Sequence, residues 1–362
     1  MPEPGVGAVN RLGSRQGLDI CLFVALPLLF ETVLLVTAWR QGNFGIDFQQ
    51  TLLPAARKIA HGVSPYPAYG YPPLVAFVLA PLTFLPSPQI VVALVLIACV
   101  PASLWLLEVR DWRCYGVAFL WAPVFSAIQT ENVTLSLVLA VAAAWRTRNR
   151  WRATSAAGGL AIAAKILCWP ILIWLGATRR VKDAVGAIVV AVAVTFGLWA
   201  TIGFAGVVKY PSSLRGLDAK VAAQSYTLKA FAIDLGAGKT AAGVLGVALA
   251  IGVILCAVAF GLRHDDRRSF ALAVVAMIVA SPIVWLHSFA LLLVPVALLR
   301  PRLSVEWLLP ATLVAASGTG NGEPWQTGLV LVVAALTVAS SLTGKARCAD
   351  LLLASEAAVA RP

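Results

Sequence analysis

The chain has 362 residues, of which 60% are hydrophobic and 12% charged, about half the ~25% charged share of an ordinary soluble domain. That composition excludes a water-soluble globule. The net charge of +12 is dispersed in short clusters between apolar stretches and forms no patch or groove, so nucleic acid is set aside as a partner and membrane orientation explains the charge.

The apolar stretches lack the alternation of membrane barrel strands, so they must be helices that satisfy their own backbone groups in lipid. The first, Leu18 to Ala38, is too long for a secretion signal, contains Glu31 and has no small-residue cleavage site. It reads as a retained helix. The clusters Arg110/Arg113, Arg146/Arg148/Arg150/Arg152, Arg179/Arg180/Lys182, Arg263/Arg267/Arg268 and Arg300/Arg302, with both termini, are assigned to the cytoplasm by the positive-inside rule.

One path satisfies these assignments. The first helix runs outward, 39–87 forms a first extracytoplasmic loop with Pro73–Leu85 partly inserted, and 88–107 returns. Stretches 115–128 and 131–145 make an outward hairpin, and 154–166 and 167–177 a shorter one. Stretch 184–203 runs outward, 204–240 forms a second, basic extracytoplasmic loop, and 241–262 returns, followed by 270–285, 288–299, 304–317 and 326–342. The prediction is an all-α polytopic fold of roughly twelve transmembrane helices, within a range of about 10–13. With no internal repeat and no soluble segment large enough to fold alone, residues 1–362 are expected to form one domain.

Six scattered cysteines, without CxxC or Cys/His spacing, imply neither a disulfide framework nor a metal site. Asp265-Asp266 lies between basic residues in an inner connection and reads as solvated. There is no P-loop, HExxH or dinucleotide fingerprint, so neither a metal, a cofactor nor a nucleotide-sugar donor is expected.

The path gathers polar groups on the outer side: Asp47, Glu131-Asn132, the 204–240 loop, His287 and the Asn321–Glu323 turn. Asp47 can act as a base whose pKa partial burial raises, or cap a helix spanning Phe48–Ala60. The stretch from His61 to Leu74, with Tyr66, Tyr69 and Tyr71 among four prolines, cannot be regular helix; its rings suit either an interfacial belt or stacking against a sugar. Lys165 inside an apolar stretch must snorkel, pair or bind substrate. His287, beside Pro282 and Trp285 at a helix break, is either a structural hydrogen-bonder or a substrate contact. Lys209, Arg215, Lys220, Lys229 and Lys239 in the second loop ask for an anionic partner, either lipid headgroups or a leaving phosphate.

An Asp after the first helix, then Gly62-x-x-Pro65-Tyr66 and Tyr71-Pro-Pro-Leu74, then Pro81 and Leu85-Pro86, resembles the opening of glycosyltransferase family 87. Lys165-Ile-Leu-Cys-Trp-Pro170, Gln224-Ser225 and Ser281-Pro-Ile-Val-Trp-Leu-His287 extend the resemblance over about Gly42 to Arg302. The chain departs from the family pattern at Glu131-Asn-Val-Thr134, Ala223 and Ser288.

The resemblance implies a GT-C-type enzyme in which Asp47 is the catalytic base, transferring a hexose, mannose above all, from a polyprenyl-phosphate sugar to a glycolipid or cell-envelope glycan by inverting displacement. Substrate contacts are expected among Tyr66, Tyr71, Glu131, Asn132, Lys165, Arg215, Lys220, Gln224, Ser225, Lys229, Trp285 and His287, with membrane lipids as further partners. The alternatives are a lipid or sugar transporter or flippase, which should place its ionisable groups at the midplane between related halves, and an inactive relative that only binds glycolipid.

Overall fold

The computed structural model describes residues 17–221, 224–316 and 323–343. Both chain ends, Ala223 and Asn321 fall outside those residues, and with them the cytoplasmic assignment of the termini.

Helix α1 (Gly17–Arg40) contains a π turn at Cys21–Ala25 just ahead of Pro27. A second π turn, Phe48–Leu52, precedes Pro54 in α2 (Leu53–Ala60). A proline removes one amide and crowds the carbonyl a turn earlier, and the wider π turn absorbs that mismatch at each place. Next come α3 (Pro73–Leu79), extended by a 3₁₀ turn at Ala80–Phe84, then α4 (Pro88–Leu106), α5 (Trp112–Phe119), α6 (Ala122–Gln129) and α7 (Thr134–Arg146). Helix α8 (Trp151–Ala164) ends at Lys165, a 3₁₀ turn covers Ile166–Cys168, and α9 (Ile171–Ala177) and α10 (Val181–Thr201) follow. The second loop carries α11 (Tyr210–Val221) and α12 (Leu228–Asp234). The rest comprises α13 (Lys239–Leu262), α14 (Asp266–Val279), a 3₁₀ segment Leu286–Leu292 leading into α15 (Leu293–Leu299), α16 (Val305–Leu308) with a 3₁₀ continuation to Ala316, and α17 (Pro324–Thr343).

The all-helical, multi-pass membrane character holds, but the expectation of roughly twelve crossings does not. Among the described residues five helices are long and apolar enough to span a bilayer: α1, α4, α10, α13 and α17. A sixth arises only if α6 and α7, bent by 119° at their junction, are taken as one broken span.

Two physical causes account for the overcount. Pro73–Phe84, Ile166–Ala177, Leu286–Leu299 and Val305–Ala315 are short apolar helices; twelve residues at 1.5 Å each reach only ~18 Å, against a hydrocarbon core of ~30 Å. Prolines 81, 170, 295 and 310 and the 3₁₀ turns interrupt them, and an average of hydrophobicity does not register such interruptions. Helices α8 and α14 have 14 residues each, and α14 is buried from Ser269 to Ile278. Such a helix is apolar because protein surrounds it, and its sequence resembles that of a lipid-facing span.

Close packing holds these elements together. Helix α8 lies along α10, and a Cβ at Gly159 would sit 2.6 Å from the Val190 Cβ and 2.7 Å from the Ala187 carbonyl oxygen, the small-residue approach typical of membrane helices. At the start of α14, Asp266 accepts from the Trp174 indole at 2.5 Å and from Arg180 at 2.8 Å. Trp121 donates to the Trp307 carbonyl at 2.8 Å, so these two buried indoles bring polar atoms into the core already partnered.

Candidate functional site

The loop after α1 is fastened to the tip of the α6–α7 hairpin by its backbone. Gly45 N–H donates to the Gln129 carbonyl at 2.7 Å, and Asp47 N–H donates to the Thr130 carbonyl at 3.0 Å. Gly45 has φ +68°, and a Cβ there would meet Glu131 Oε2 at 2.6 Å, so both conformation and space require glycine.

Asp47 occupies the residue before the π turn Phe48–Leu52, yet its side chain makes no capping hydrogen bond. Instead Oδ2 accepts from Asn132 Nδ2 at 2.7 Å. Asn132 is held in that orientation because its Oδ1 accepts from the Thr134 amide at 3.1 Å and the Thr134 hydroxyl at 2.7 Å. The same Nδ2 donates to the Tyr71 hydroxyl at 3.2 Å. Lys165, the first extended residue after α8, places Nζ 5.4 Å from the Tyr71 ring centroid. Its charge acts on Asp47 and also reaches His287. Four residues read separately from sequence, from three distant segments, thus meet: Asp47, Tyr71, Asn132 and Lys165.

Burial pushes the Asp47 carboxyl above its ordinary pKa, and the Asn132 hydrogen bond, the Lys165 charge and the Thr130 hydroxyl each offset part of that rise. The carboxylate is therefore more basic than in water while held by one strong, charge-assisted donor. That combination suits a group that takes a proton from an alcohol.

Other expected site residues fall at different distances from this cluster. Tyr66 donates its hydroxyl to the Tyr71 carbonyl at 2.9 Å and packs its ring against Tyr69, Trp199 and Tyr210, so it braces the loop. Glu131, at φ +53°, is fully buried, and its carboxylate oxygens have no hydrogen-bond partner among the described residues. His287 is buried at the start of the 3₁₀ segment with Nε2 likewise unpartnered. Ser225 is a clamp: its hydroxyl accepts from the Val284 amide at 2.9 Å and donates to the Val284 carbonyl at 3.3 Å, holding the strand-like residues before His287. Gln224 is exposed and Trp285 half-buried. Arg215 is exposed on α11, Lys220 lies on the same helix with its side chain outside the described set, and Lys229 is half-buried on α12. The groups that act on Asp47 are Asn132, Lys165 and Thr130 rather than this basic loop.

Sequence reasoning overlooked Tyr210 and Trp199. Tyr210 donates its hydroxyl to the Gly70 carbonyl at 3.2 Å, closing the second loop over the first; the Tyr210-Pro211 pair, like those of the first loop, was an available signal. Among the described residues no His/Cys/Asp/Glu group is arranged to hold a metal.

Fold and site together define a multi-pass, all-helical membrane protein with an oriented, partly buried carboxylate. The model of glycosyltransferase family 87 matches residues 69–286, more than half of the chain, and the chain belongs to that family, a group of GT-C-like glycosyltransferases. The matched segment is shorter than the resemblance from Gly42 to Arg302: it contains Tyr71, Asn132 and Lys165, whereas Asp47 and Tyr66 precede it and His287 follows it directly. No curated protein and no solved structure matches the chain.

Proposed function

We propose that this glycosyltransferase moves a hexose, mannose in the first instance, from a polyprenyl-phosphate donor to a hydroxyl of a glycolipid or envelope glycan, with Asp47 as general base. Asp47 takes the acceptor's proton as that oxygen bonds to the anomeric carbon. The bond from that carbon to the phosphate oxygen breaks, and polyprenyl phosphate leaves with the electron pair. One displacement inverts the anomeric centre. Asp47 then returns its proton to water.

The observation that carries this reading is the Asn132–Asp47 hydrogen bond of 2.7 Å beside Tyr71 and Lys165. A cation whose charge reaches the base suits a reaction in which negative charge grows on a leaving phosphate. The outer, extracytoplasmic face is the side the charge pattern favours for this chemistry.

The test incubates purified protein with radiolabelled polyprenyl-phosphate mannose and glycolipid acceptors, beside Asp47→Asn. Wild type should transfer label, and the variant should be slower by about 10²–10⁴-fold, the usual worth of general base catalysis. Equal rates would remove Asp47 from the role. Lipid-dependent sugar uptake by liposomes without transfer would replace the enzyme with a transporter.

A further inference from the structure

Helix α7 starts at Thr134, next to Asn132, and its 13 residues carry the chain ~20 Å away from Asp47 at 1.5 Å per residue. At that far end three arginines from three separate segments converge on one carboxylate. Arg148 follows α7, Arg180 follows α9, and Arg267 stands in the first turn of α14 beside Asp266. Asp266 Oδ2 accepts from Arg180 Nη2 at 2.8 Å and lies 3.9 Å from Arg148 Nε, while Oδ1 is taken by the Trp174 indole. Arg180 Nη1 is enclosed and has no hydrogen-bond partner among the described residues. Burial pushes the Arg148 guanidinium below its ordinary pKa; the charges of Arg180 and Arg267 push the same way, and those of Asp266 and Glu108 oppose. Glu108 is already paired with Arg146 at 2.8 Å. Asp183, buried at the head of α10, feels the Arg180 charge. Three guanidiniums, those of Arg148, Arg180 and Arg267, thus face two carboxylates, those of Asp266 and Asp183.

We propose that this cluster binds the phosphate of an anionic phospholipid. Three observations favour that occupant. First, the cluster keeps a surplus of positive charge in a half-buried place, where cations repel one another with little screening by water; a phosphate supplies the negative charge that Asp266 and Asp183 do not. Second, two of the guanidiniums are held flat in advance. Arg148 Cζ lies 4.3 Å from the Trp145 ring centroid and Arg180 Cζ 5.1 Å from that of Trp174. Both indoles are buried and pack together with centroids 5.9 Å apart, and Arg148 Nη1 donates to the Trp145 carbonyl at 3.1 Å. A stacked guanidinium loses little side-chain freedom on binding and presents its N–H groups in the planar fork that matches phosphate oxygens. Orienting a loop to one side of the membrane needs only basic residues in number; it does not require them to stack on buried indoles. Third, depth selects a lipid. Membrane-spanning α10 begins at Val181, directly after Arg180, and membrane-spanning α13 ends at Leu262, four residues before Asp266. Their ends mark the polar boundary of the bilayer, where lipid phosphates lie and where basic pockets between helices take anionic headgroups. Nothing in this site depends on the sugar donor or on Asp47.

The experiment titrates full-length protein in a neutral detergent with phosphatidylglycerol or phosphatidylcholine and measures lipid retention by native mass spectrometry. Phosphatidylglycerol should be held more tightly than phosphatidylcholine. Arg148→Gln and Arg267→Gln should each weaken its retention by about tenfold, the worth of one hydrogen bond between charged groups. Arg267 is exposed, so its variant keeps the fold, and an unchanged unfolding midpoint in lipid-free detergent verifies that. Arg152→Gln removes an equally exposed cation that stacks on the exposed Trp151 ring, and it should leave retention as in wild type. Equal loss in Arg152→Gln would reduce the effect to diffuse surface charge and overturn the proposal. Equal retention of phosphatidylcholine, or retention unchanged in both Arg148→Gln and Arg267→Gln, would overturn it as well. Displacement of phosphatidylglycerol by millimolar inorganic phosphate, with the same dependence on Arg148 and Arg267, would keep the phosphate site and overturn the lipid as its occupant.

Discussion

The Asn132 side-chain amide donates to Asp47 Oδ2 at 2.7 Å across 85 residues of sequence. Thr134 fixes the amide from behind, so Asn132 both orients the carboxylate and lowers its proton affinity. Replacing it with leucine should slow turnover by roughly 10–100-fold, the worth of a hydrogen bond to a charged group. It should also move the acid limb of the rate profile to higher pH. A limb that stays in place while the rate falls would show that Asn132 acts by some route other than Asp47.

The active form of Asp47 is the carboxylate, and burial raises its pKa above the usual value. Activity should therefore be lost as pH falls through that raised pKa, at a higher pH than an exposed aspartate would give. Lys165 opposes the rise through its charge. Lys165→Met removes that opposition and should shift the acid limb further upward, whereas Lys165→Arg should leave it near its wild-type position. Initial rates across a pH series for the three proteins decide the matter, and coincident limbs for methionine and arginine would count against an electrostatic role.

Ser225 satisfies both the amide and the carbonyl of Val284. Ser225→Ala leaves the Val284 amide short of a partner, at a cost of about 1–3 kcal/mol, while the Val284 carbonyl keeps the Tyr226 amide at 2.7 Å. A lower unfolding midpoint in detergent is expected, together with a higher donor KM, because the released segment leads directly to His287. Ser225→Thr keeps the hydroxyl and should recover most of both.

The approach of α8 to α10 depends on Gly159, where an added Cβ would fall 2.6 Å from the Val190 Cβ. Gly159→Leu should destabilise the bundle by about 1–3 kcal/mol or more through overpacking. Gly197→Ala on α10, where nothing lies within 4 Å, is the matched control. It should be neutral or slightly stabilising, since alanine is the better helix former. Thermal unfolding of the two side by side is the measurement, and equal midpoints would mean that α8 and α10 separate without penalty.

The sequence announced the helical membrane fold and located the apolar segments, because hydrophobicity alone decides both. It overestimated the crossings because α14 is apolar through burial and Leu286–Leu299 is apolar but short; neither property has a distinct signature in a run of leucine and valine. Asp47 was visible only as a carboxylate with two readings. Its missing cap and its bond to Asn132 depend on chain folding that brings residue 132 back to residue 47. Lys165 was flagged by the cost of a charge in an apolar stretch, while Tyr66 and Tyr71 were both expected as substrate contacts until the fold separated them, Tyr71 meeting Asn132 and Tyr66 bracing the loop.

The backbone bonds from Gly45 to Gln129 and from Asp47 to Thr130 have a mechanical consequence. Side chains at 129 and 130 can vary without disturbing these bonds, since main-chain atoms alone carry them. A shift of the α6–α7 tip would pull the Asp47 backbone with it, because these bonds join the two. The spacing between base and orienting amide is thereby set within one local unit, by main-chain bonds at 45 and 47 and the side-chain bond from Asn132.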